Sequence, residues 1–315
     1  MVQELDQRNC LLVEMIESSA FVVCLDDASP TTATERASHF LVGEVSNRWS
    51  DKPLQFAICK NGVSAYICEH ALIDGTTLRK LGDYVRRAIS EYLPDEQQKI
   101  SSDITVDVLE NYTFTSNVEL QSHMDRVQQK FWSSVIETEF TSFICAEIGG
   151  SFLKEHSCSS KTGYQLIIQL ASLHYFGYQT PSWETITTRS FLKGRVDIIQ
   201  AVIPPVAAFC TAMRDDTVLA SERRALFHEA AKAYTNLVTR ISRGRGFAHH
   251  LYALQEVCKD DEEVPQLFRD PVYAKTRPAK IMTDCVDWEG AISEGAFAMS
   301  DSEHIWVHYE VDDER

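Results

Sequence analysis

Alternating apolar and polar positions predict a β-hairpin near residue 60. Apolar side chains alternate with polar or small ones from Leu54 to Ile58 and again from Val63 to Ile67, which is typical of half-buried strands. Asn61-Gly62 lies between the two runs. Because both residue types tolerate a positive φ, this dipeptide is a strong signal for a short hairpin turn.

A helix is predicted directly after the second strand. Asp74 and Thr76 can cap its N-terminus, and Pro94 ends the pattern. Charged side chains between them fall mostly on one face, which we interpret as a solvated helix surface. The apolar positions recur at helical spacing: Leu78, Leu81, Val85, Ala88, Ile89 and Tyr92.

Strands and helices are mixed along the rest of the chain, which predicts an α/β or α+β fold. The first 25 residues read as a helix leading into a strand, and 26–36 as a polar loop. The apolar pattern of 162–175 covers nearly every face, so we expect that helix to be buried. A hydrophilic stretch at 94–103 is the best domain boundary. The remaining predictions are strands at 104–115 and 305–311 and helices at about 117–137, 162–175, 193–214, 221–242 and 246–257.

Composition narrows the class of protein. The length of 315 residues suits about two domains of roughly 150 residues each. A formal net charge of −16 argues against nucleic acid or an anionic membrane as the main partner. No apolar run has the roughly 18 residues of a membrane span. The nine cysteines include no Cys-x-x-Cys pair, so we interpret them as free thiols and expect a cytoplasmic protein.

His70 is the foremost catalytic candidate, because it lies where the second strand ends and precedes a helix. Imidazole suits general-base chemistry near neutral pH, although a structural histidine at a strand end is the alternative.

Other groups of residues give weaker evidence for a functional site. The adjacent His249 and His250 cannot both face one metal, so no metal site is predicted. Gly244 and Gly246 do not follow a strand, which argues against nucleotide binding.

The sequence around His70 resembles one enzyme family. The pattern His70-x-x-x-Asp74-Gly75 occurs across the CoA-dependent acyltransferase superfamily. The flanking 47–55 resembles the Asn-Arg-Trp signature of choline/carnitine acyltransferases. Further segments, at 183–197, 243–251 and 267–274, are similar to later signatures of that family and follow in the same order. The chain is therefore identified as a divergent member, similar to the acyltransferase domains linked to polyketide synthases.

The resemblance implies chloramphenicol-acetyltransferase-like two-layer domains, each with a mixed sheet covered by helices, and an active-site tunnel between them. Residues 1–95 would form the C-terminal part of the first domain with the catalytic histidine, and 104–315 most of the second. The N-terminal half of the usual catalytic unit would be missing, and it is a further expected partner. Edge strands and apolar helix faces would then lack their cover.

The family pattern also implies roles for single residues. His70 would act as general base, while Asp74 would pair with Arg48 and hold the catalytic loop. Lys154 matches one of two lysines near the coenzyme A phosphates, and Gly150 replaces the other. Lys161 could restore that charge, but a surface lysine is the favoured interpretation. The donor is thus acyl-CoA or another pantetheine thioester, such as one on an acyl carrier protein, with no bound cofactor.

The acceptor and oxyanion positions depart from the family. Trp183 and Val196 replace a tyrosine and a threonine that hold the carnitine carboxylate, while Arg243 keeps the arginine. The two lost hydrogen bonds would weaken carnitine binding by about 1–3 kcal/mol together. Thr283 survives from a Ser-Thr-Ser oxyanion motif, but Asp284 would repel a developing oxyanion if ionised.

Three functional hypotheses follow. The first is an acyltransferase that moves an acyl group from a thioester to the hydroxyl of a small-molecule acceptor, in secondary metabolism of the polyketide type. The second is a plain carnitine or choline acyltransferase. The third is a shortened module without catalysis, or one that requires a partner.

Overall fold

A computed structural model describes residues 2–92, 111–145, 147–258, 264–276, 279–285 and 304–311. The described residues up to 142 form one compact unit, and those from 143 onward form a second. The boundary predicted at 94–103 lies outside the described residues, so the domain limits of 1–95 and 104–315 stay a prediction. Helices and mixed sheets occur in the described parts, which confirms the mixed α/β class; the chloramphenicol-acetyltransferase-like arrangement stays a prediction.

The first unit contains a sheet with strand order β1-β2-β3, in which β1 and β2 are parallel and β2 and β3 antiparallel. The predicted hairpin is confirmed: Leu54 pairs with Cys68, Ile58 with Ser64, and Gly62 has a φ of 83°. The elements are α1 (Val2–Leu5), α2 (Gln7–Ser18), β1 (Val22–Asp26), α3 (Ala33–Ser38), β2 (Leu54–Cys59), β3 (Ser64–Cys68), α4 (Gly75–Tyr92) and α5 (Val118–Val135).

One face of this sheet carries exposed apolar side chains. Val23 and Leu25 on β1 are 50% and 73% exposed, and Ile58 on the neighbouring β2 is 40% exposed. Phe21, just before β1, is also half exposed and packs edge-on against Phe56. An apolar surface of this kind favours association with other protein.

The strand predicted at 104–115 is wrong where the structure describes it. Residues 111–117 form neither helix nor strand. The fully buried Asn9 holds this segment instead: its amide Nδ2 donates to the carbonyl oxygen of Thr115 at 2.9 Å, and its Oδ1 accepts the Thr115 N–H at 2.8 Å. A side chain thus supplies the hydrogen bonds that a neighbouring strand would otherwise provide.

The second unit contains a sheet with the order β5-β4-β6-β7 among its described strands. Strands β4 and β5 are antiparallel, whereas β4 with β6 and β6 with β7 are parallel. Its elements are α6 (Gly150–Glu155), α7 (Ser160–Phe176), β4 (Ser182–Thr187), β5 (Val196–Gln200), α8 (Pro204–Arg214), α9 (Ala220–Arg240), α10 (Ala248–Glu256), α11 (Gln266–Arg269), α12 (Pro271–Thr276), β6 (Ile281–Cys285) and β7 (Ile305–Tyr309).

Two helix predictions need correction. The helix expected at 193–214 is a loop, then β5, then α8, because three of the four residues at 196–199 are β-branched and Pro204 suits the first turn of a helix. Helix α7 is buried on one side only. Its Leu166 is 1% exposed in the core, whereas Tyr175 is 81% exposed. An apolar pattern around the whole helix therefore overstated its burial.

The core of the second unit lies between the sheet and helices α7, α8 and α9. Ile186 and Ile199 from the sheet pack with Leu166, Val206 and Tyr234 from the helices. This packing fixes which face of each strand is buried. Among the described residues, no helix combines the length and the apolar character needed to cross a bilayer.

Candidate active site

His70 lies on a tight loop between β3 and α4. The loop begins where the Glu69 N–H donates to the Pro53 carbonyl at 3.3 Å, and it closes where the Ile73 N–H donates to the Glu69 carbonyl at 3.2 Å. The Glu69 carboxylate accepts the Ala71 N–H at 3.0 Å. These contacts hold the backbone on both sides of His70, whose side chain is exposed.

One hydrogen bond fixes the protonation pattern of the His70 ring. Its Nδ1 lies 3.1 Å from the Ile73 carbonyl oxygen. A carbonyl oxygen only accepts, so Nδ1 must carry the hydrogen of this bond. In the neutral imidazole Nε2 is then the nitrogen that carries the basic lone pair. The loop thus presents an oriented base, with the ring nitrogen that is not bonded to Ile73 as the proton acceptor.

Asp74 supports the same loop through the start of α4. Its Oδ1 accepts the Gly75 N–H at 2.8 Å, and its carbonyl oxygen accepts the N–H groups of Thr77 and Leu78 at 2.9 and 3.2 Å. Asp74 therefore connects the His70 loop to the first turn of α4. Its predicted role as structural support stays a prediction.

The pairing predicted between Arg48 and Asp74 is wrong: in the described part of the chain, Arg48 pairs with Asp26. Arg48 Nη2 lies 2.6 Å from Asp26 Oδ2, and Nη1 lies 2.9 Å from Oδ1. Asn47 Nδ2 also donates to Oδ1 at 2.8 Å, and His39 Nε2 lies 2.9 Å from Oδ2. Hydrogen bonding to Arg48 holds the pKa of Asp26 well below its usual range, although burial acts in the opposite direction.

Sequence reasoning missed Asp26, which it placed in a polar loop. Asp26 is the last residue of β1 and pairs with Cys59 on β2. Together with His39, these side chains are close enough to share one metal ion, within 4.8 Å of one another. The Arg48 guanidinium already occupies both carboxylate oxygens, and a second cation beside it would be repelled. This geometry favours an ion pair over a metal site.

Side chains of the segment 47–55 make structural hydrogen bonds within the first unit. Lys52, only 3% exposed, donates through Nζ to the carbonyl oxygens of Ile16 and Glu17 at 2.6 and 2.9 Å. It thereby satisfies the C-terminal carbonyls of α2. Gln55 Oε1 accepts the Trp49 N–H at 2.9 Å. In the first unit the signature residues therefore bind other parts of the protein, and His70 is a predicted site residue with an exposed side chain.

In the second unit, the alternation of strand residues sorts the predicted site residues onto two faces. Trp183 pairs with Gln200 and Thr187 with Val196, so Trp183 and Val196 share one face of the sheet. Asp284 lies on this face too, because the Thr185 hydroxyl donates to Asp284 Oδ1 at 2.5 Å. The opposite face packs against α7 and α9.

Thr283 lies on that opposite face, where its side chain is buried. It is 2% exposed; its hydroxyl donates to the Trp183 carbonyl at 3.1 Å and accepts from Gln165 Nε2 at 2.8 Å. The hydroxyl is therefore committed to the core. Neighbouring residues of a strand point to opposite faces, so Asp284 lies on the face of Trp183, and the oxyanion role of Thr283 stays a prediction.

A buried carboxylate, also missed from sequence, lies beside Thr283. Glu184 is 1% exposed and accepts hydrogen bonds from the hydroxyls of Tyr234 and Tyr309. Lys161 Nζ lies 3.3 Å from Glu184 Oε1 and donates to the Thr185 carbonyl at 3.2 Å. Burial raises the pKa of Glu184, and Lys161 opposes that effect. Lys161 is thus half-buried and bound to Glu184, which corrects its interpretation as a surface lysine.

Arg243 lies in the turn that follows α9 and is exposed. Gly244 has a φ of 71°, and a Cβ there would lie 2.9 Å from the Phe191 ring. A Cβ at Gly246 would lie 1.9 Å from Asp197 Oδ2. The two signature segments 183–197 and 243–251 therefore meet in space, and a Cβ at either glycine would force a neighbouring side chain to shift.

Lys154, the predicted coenzyme A contact, is exposed on the last turn of α6. His70 belongs to the first unit, whereas Lys154, Trp183, Val196, Arg243 and Thr283 belong to the second. The structure therefore places each set within its own unit, and the roles of Lys154, Trp183, Val196 and Arg243 stay predictions.

Comparison with known proteins supports the family resemblance of the signature segments. A highly reducing polyketide synthase of Aspergillus luteorubrus is 31% identical over 98% of this chain, which covers 10% of the synthase. The mitochondrial carnitine O-acetyltransferase of Saccharomyces cerevisiae is 28% identical over 83% of the chain and 40% of that enzyme. Choline O-acetyltransferase of Mus musculus is 29% identical over 85% of the chain and 43% of that enzyme.

The chain thus spans less than half the length of each of these three relatives. The family model described as choline/carnitine O-acyltransferase matches residues 1–315. Since this match covers every residue and runs through the His70 loop and both signature segments of the second unit, the chain belongs to the choline/carnitine O-acyltransferase family.

Proposed function

We propose that this chain supplies the general base of an O-acyl transfer, with His70 as the catalytic residue. His70 Nε2 takes the proton of an acceptor hydroxyl, and the oxygen attacks the carbonyl carbon of a thioester. The C–S bond then breaks, and the imidazolium returns the proton to the leaving thiolate. A base of this kind contributes a factor of about 10² to 10⁴ in rate.

The observation that carries the proposal is the Nδ1 bond from His70 to the Ile73 carbonyl at 3.1 Å. It selects the tautomer that a general base requires, in a side chain that is exposed. A histidine retained only for structure would gain from burial of its ring.

The proposed donor is an acyl group on a pantetheine thioester, and the acceptor is a hydroxyl on a small molecule of polyketide type. Two observations favour this pair. The synthase relative matches the chain over a longer stretch than the carnitine or choline enzymes do. In addition, Trp183 and Val196 lack the hydroxyls that would hold a carnitine carboxylate. Arg243 favours carnitine as the second candidate acceptor.

Turnover by the purified chain tests the proposal. Acyl-CoA and acyl-pantetheine are each incubated with a panel of carnitine, choline and polyols, and the free thiol and the ester product are measured. His70→Ala should reduce the rate by 10² to 10⁴ without changing the thermal midpoint. His123→Ala, at an exposed histidine on α5, serves as the matched control and should keep the parent rate.

Two outcomes would contradict the proposal. Full activity of His70→Ala would show that His70 is not the general base. If the folded parent forms no ester with any donor and acceptor, the chain is better explained as a non-catalytic module. Turnover with carnitine and with no other acceptor would identify carnitine, the second candidate, as the acceptor.

A further inference from the structure

A cavity of about 540 Å³ lies among helices α6, α7, α8 and α9 of the second unit. Its lining includes Leu153, Leu166 and Phe209, each at most 6% exposed, and the partly exposed Phe152 and Ile167. Protein interiors leave few voids larger than a water molecule, whereas small-molecule sites occupy about 300–1,000 Å³ and are mainly apolar. The volume and the lining therefore match a ligand site better than a packing defect.

The polar part of the lining holds more basic than acidic side chains. It contains Arg223, Arg224, His156 and His228, with Glu155 as the acid among them. The whole chain has a net charge of −16, so this concentration of basic groups is local. An anionic group is the complement that such a rim would attract.

Arg223 and Arg224 both have side-chain N–H groups that could donate hydrogen bonds to a ligand. Arg223 Nη2 donates to the Asp215 carbonyl at 2.7 Å and lies 3.8 Å from the exposed Asp216 Oδ1, but its buried Nε has no hydrogen-bond partner in the part of the chain that the structure describes. An unsatisfied buried donor is costly unless a ligand or water satisfies it. Within the same described residues, the side chain of the exposed Arg224 makes no hydrogen bond or ion pair.

From the apolar cavity and its arginine rim we infer a binding site for a single-chain aliphatic carboxylate, with the hydrocarbon chain among α6 to α9 and the carboxylate at Arg223 and Arg224. The site is separate from the proposed acyl transfer, since none of its lining residues has a role there. Its failure and the failure of the acyl-transfer proposal are therefore distinguishable.

Calorimetric titration of the whole chain with octanoate, decanoate and dodecanoate, each below its micelle concentration, tests the hydrocarbon part. Burial of each methylene should lower Kd about fourfold until the cavity is full. 1-Decanol, which has the same chain length as decanoate without its charge, should bind at least tenfold more weakly.

Variants test the location. Arg224→Gln should raise the Kd of decanoate about tenfold, because a charge-assisted hydrogen bond is lost. Arg240→Gln, at the exposed far end of the same helix, is the matched control and should leave Kd unchanged. Ile167→Trp, at a partly exposed lining position, should abolish the dependence on chain length by filling the cavity. Thermal melting of each variant confirms that it is folded.

Three results would overturn the inference: no saturable binding of any of the carboxylates, equal affinity for decanoate and 1-decanol, or an equal effect of Arg224→Gln and Arg240→Gln.

Discussion

Replacing Asp26 by asparagine should destabilise the first unit strongly. The carboxylate side chain is 1% exposed, and Arg48 beside it is 6% exposed. Asparagine keeps the shape but loses the charge, which leaves the guanidinium buried without its counter-ion. Breaking one side of a buried ion pair costs about 3–5 kcal/mol, and the bonds from Asn47 and His39 to the same carboxylate add to the expected loss.

Urea unfolding followed by tryptophan fluorescence measures this change. Asp26→Asn is compared with Asp51→Asn, an exposed acid in the same region whose change should stay within about 0.5 kcal/mol. Arg48→Met should cost about as much as Asp26→Asn, and the double variant should cost less than the sum of the two. A loss below about 1 kcal/mol for Asp26→Asn, or strict additivity, would refute the reasoning.

The same pair predicts a dependence on pH. The pKa of Asp26 is lowered in the folded state, mainly by the hydrogen bonds from Arg48. An acid with a lowered pKa stabilises the fold fully above its unfolded value of about 3.9, and this contribution is lost as the pH falls towards the folded value. The difference in free energy of unfolding between the parent and Asp26→Asn should therefore be constant near neutral pH and shrink below about pH 4.

Three further predictions concern other buried contacts. Lys52→Met should cost about 1.5–3 kcal/mol in urea unfolding, since two charge-assisted bonds to the end of α2 are lost. Gly194→Ala should cost about 1–3 kcal/mol or more, because its Cβ would lie 2.0 Å from the Thr188 carbonyl oxygen. For Glu184, burial raises the pKa in the folded state, so the advantage of the parent over Glu184→Gln should be greatest below about pH 4.3 and decline as the pH rises.

Matched controls separate these effects from general sensitivity. Lys60→Met, at an exposed lysine in the hairpin, and Ser190→Ala, at an exposed serine in the Gly194 loop, should each change stability by less than about 0.5 kcal/mol. Equal losses in a variant and its control would contradict the assigned contact. A parent advantage over Glu184→Gln that stays constant or grows with pH would contradict the burial argument.

Local patterns predicted the elements around the candidate base well. The alternation at 54–67 and the Asn61-Gly62 turn yielded the hairpin, and the spacing after Asp74 yielded α4. These features depend on neighbours within a few residues, which a single sequence displays directly. The run at 196–199 was read as helix because a short apolar segment suits either a strand or a buried helix.

Contacts between distant segments were not predictable in the same way. Asp26 lies 22 residues before Arg48, whereas Asp74 lies 26 residues after it. Local sequence spacing therefore does not show which of the two carboxylates pairs with Arg48. The return of the chain to the end of β1 decides the matter, since Asn47 Nδ2 donates to the Leu25 carbonyl at 2.9 Å and so holds the neighbouring Arg48 beside Asp26. Likewise the buried position of Glu184 follows from the packing of α7 and α9, which no local pattern around Glu184 displays.

The two-residue period of β6 has a consequence for insertions and deletions. Thr283 is directed into the helices, and Asp284 is directed to the face that carries Trp183. One residue added or removed just before Ile281 would exchange the two sets, placing a carboxylate in the core and the threonine hydroxyl on the open face. Length changes of two residues would preserve the arrangement. Viable length variants of this segment should therefore come in even steps, and their parity would report the orientation of β6 without any ligand or activity measurement.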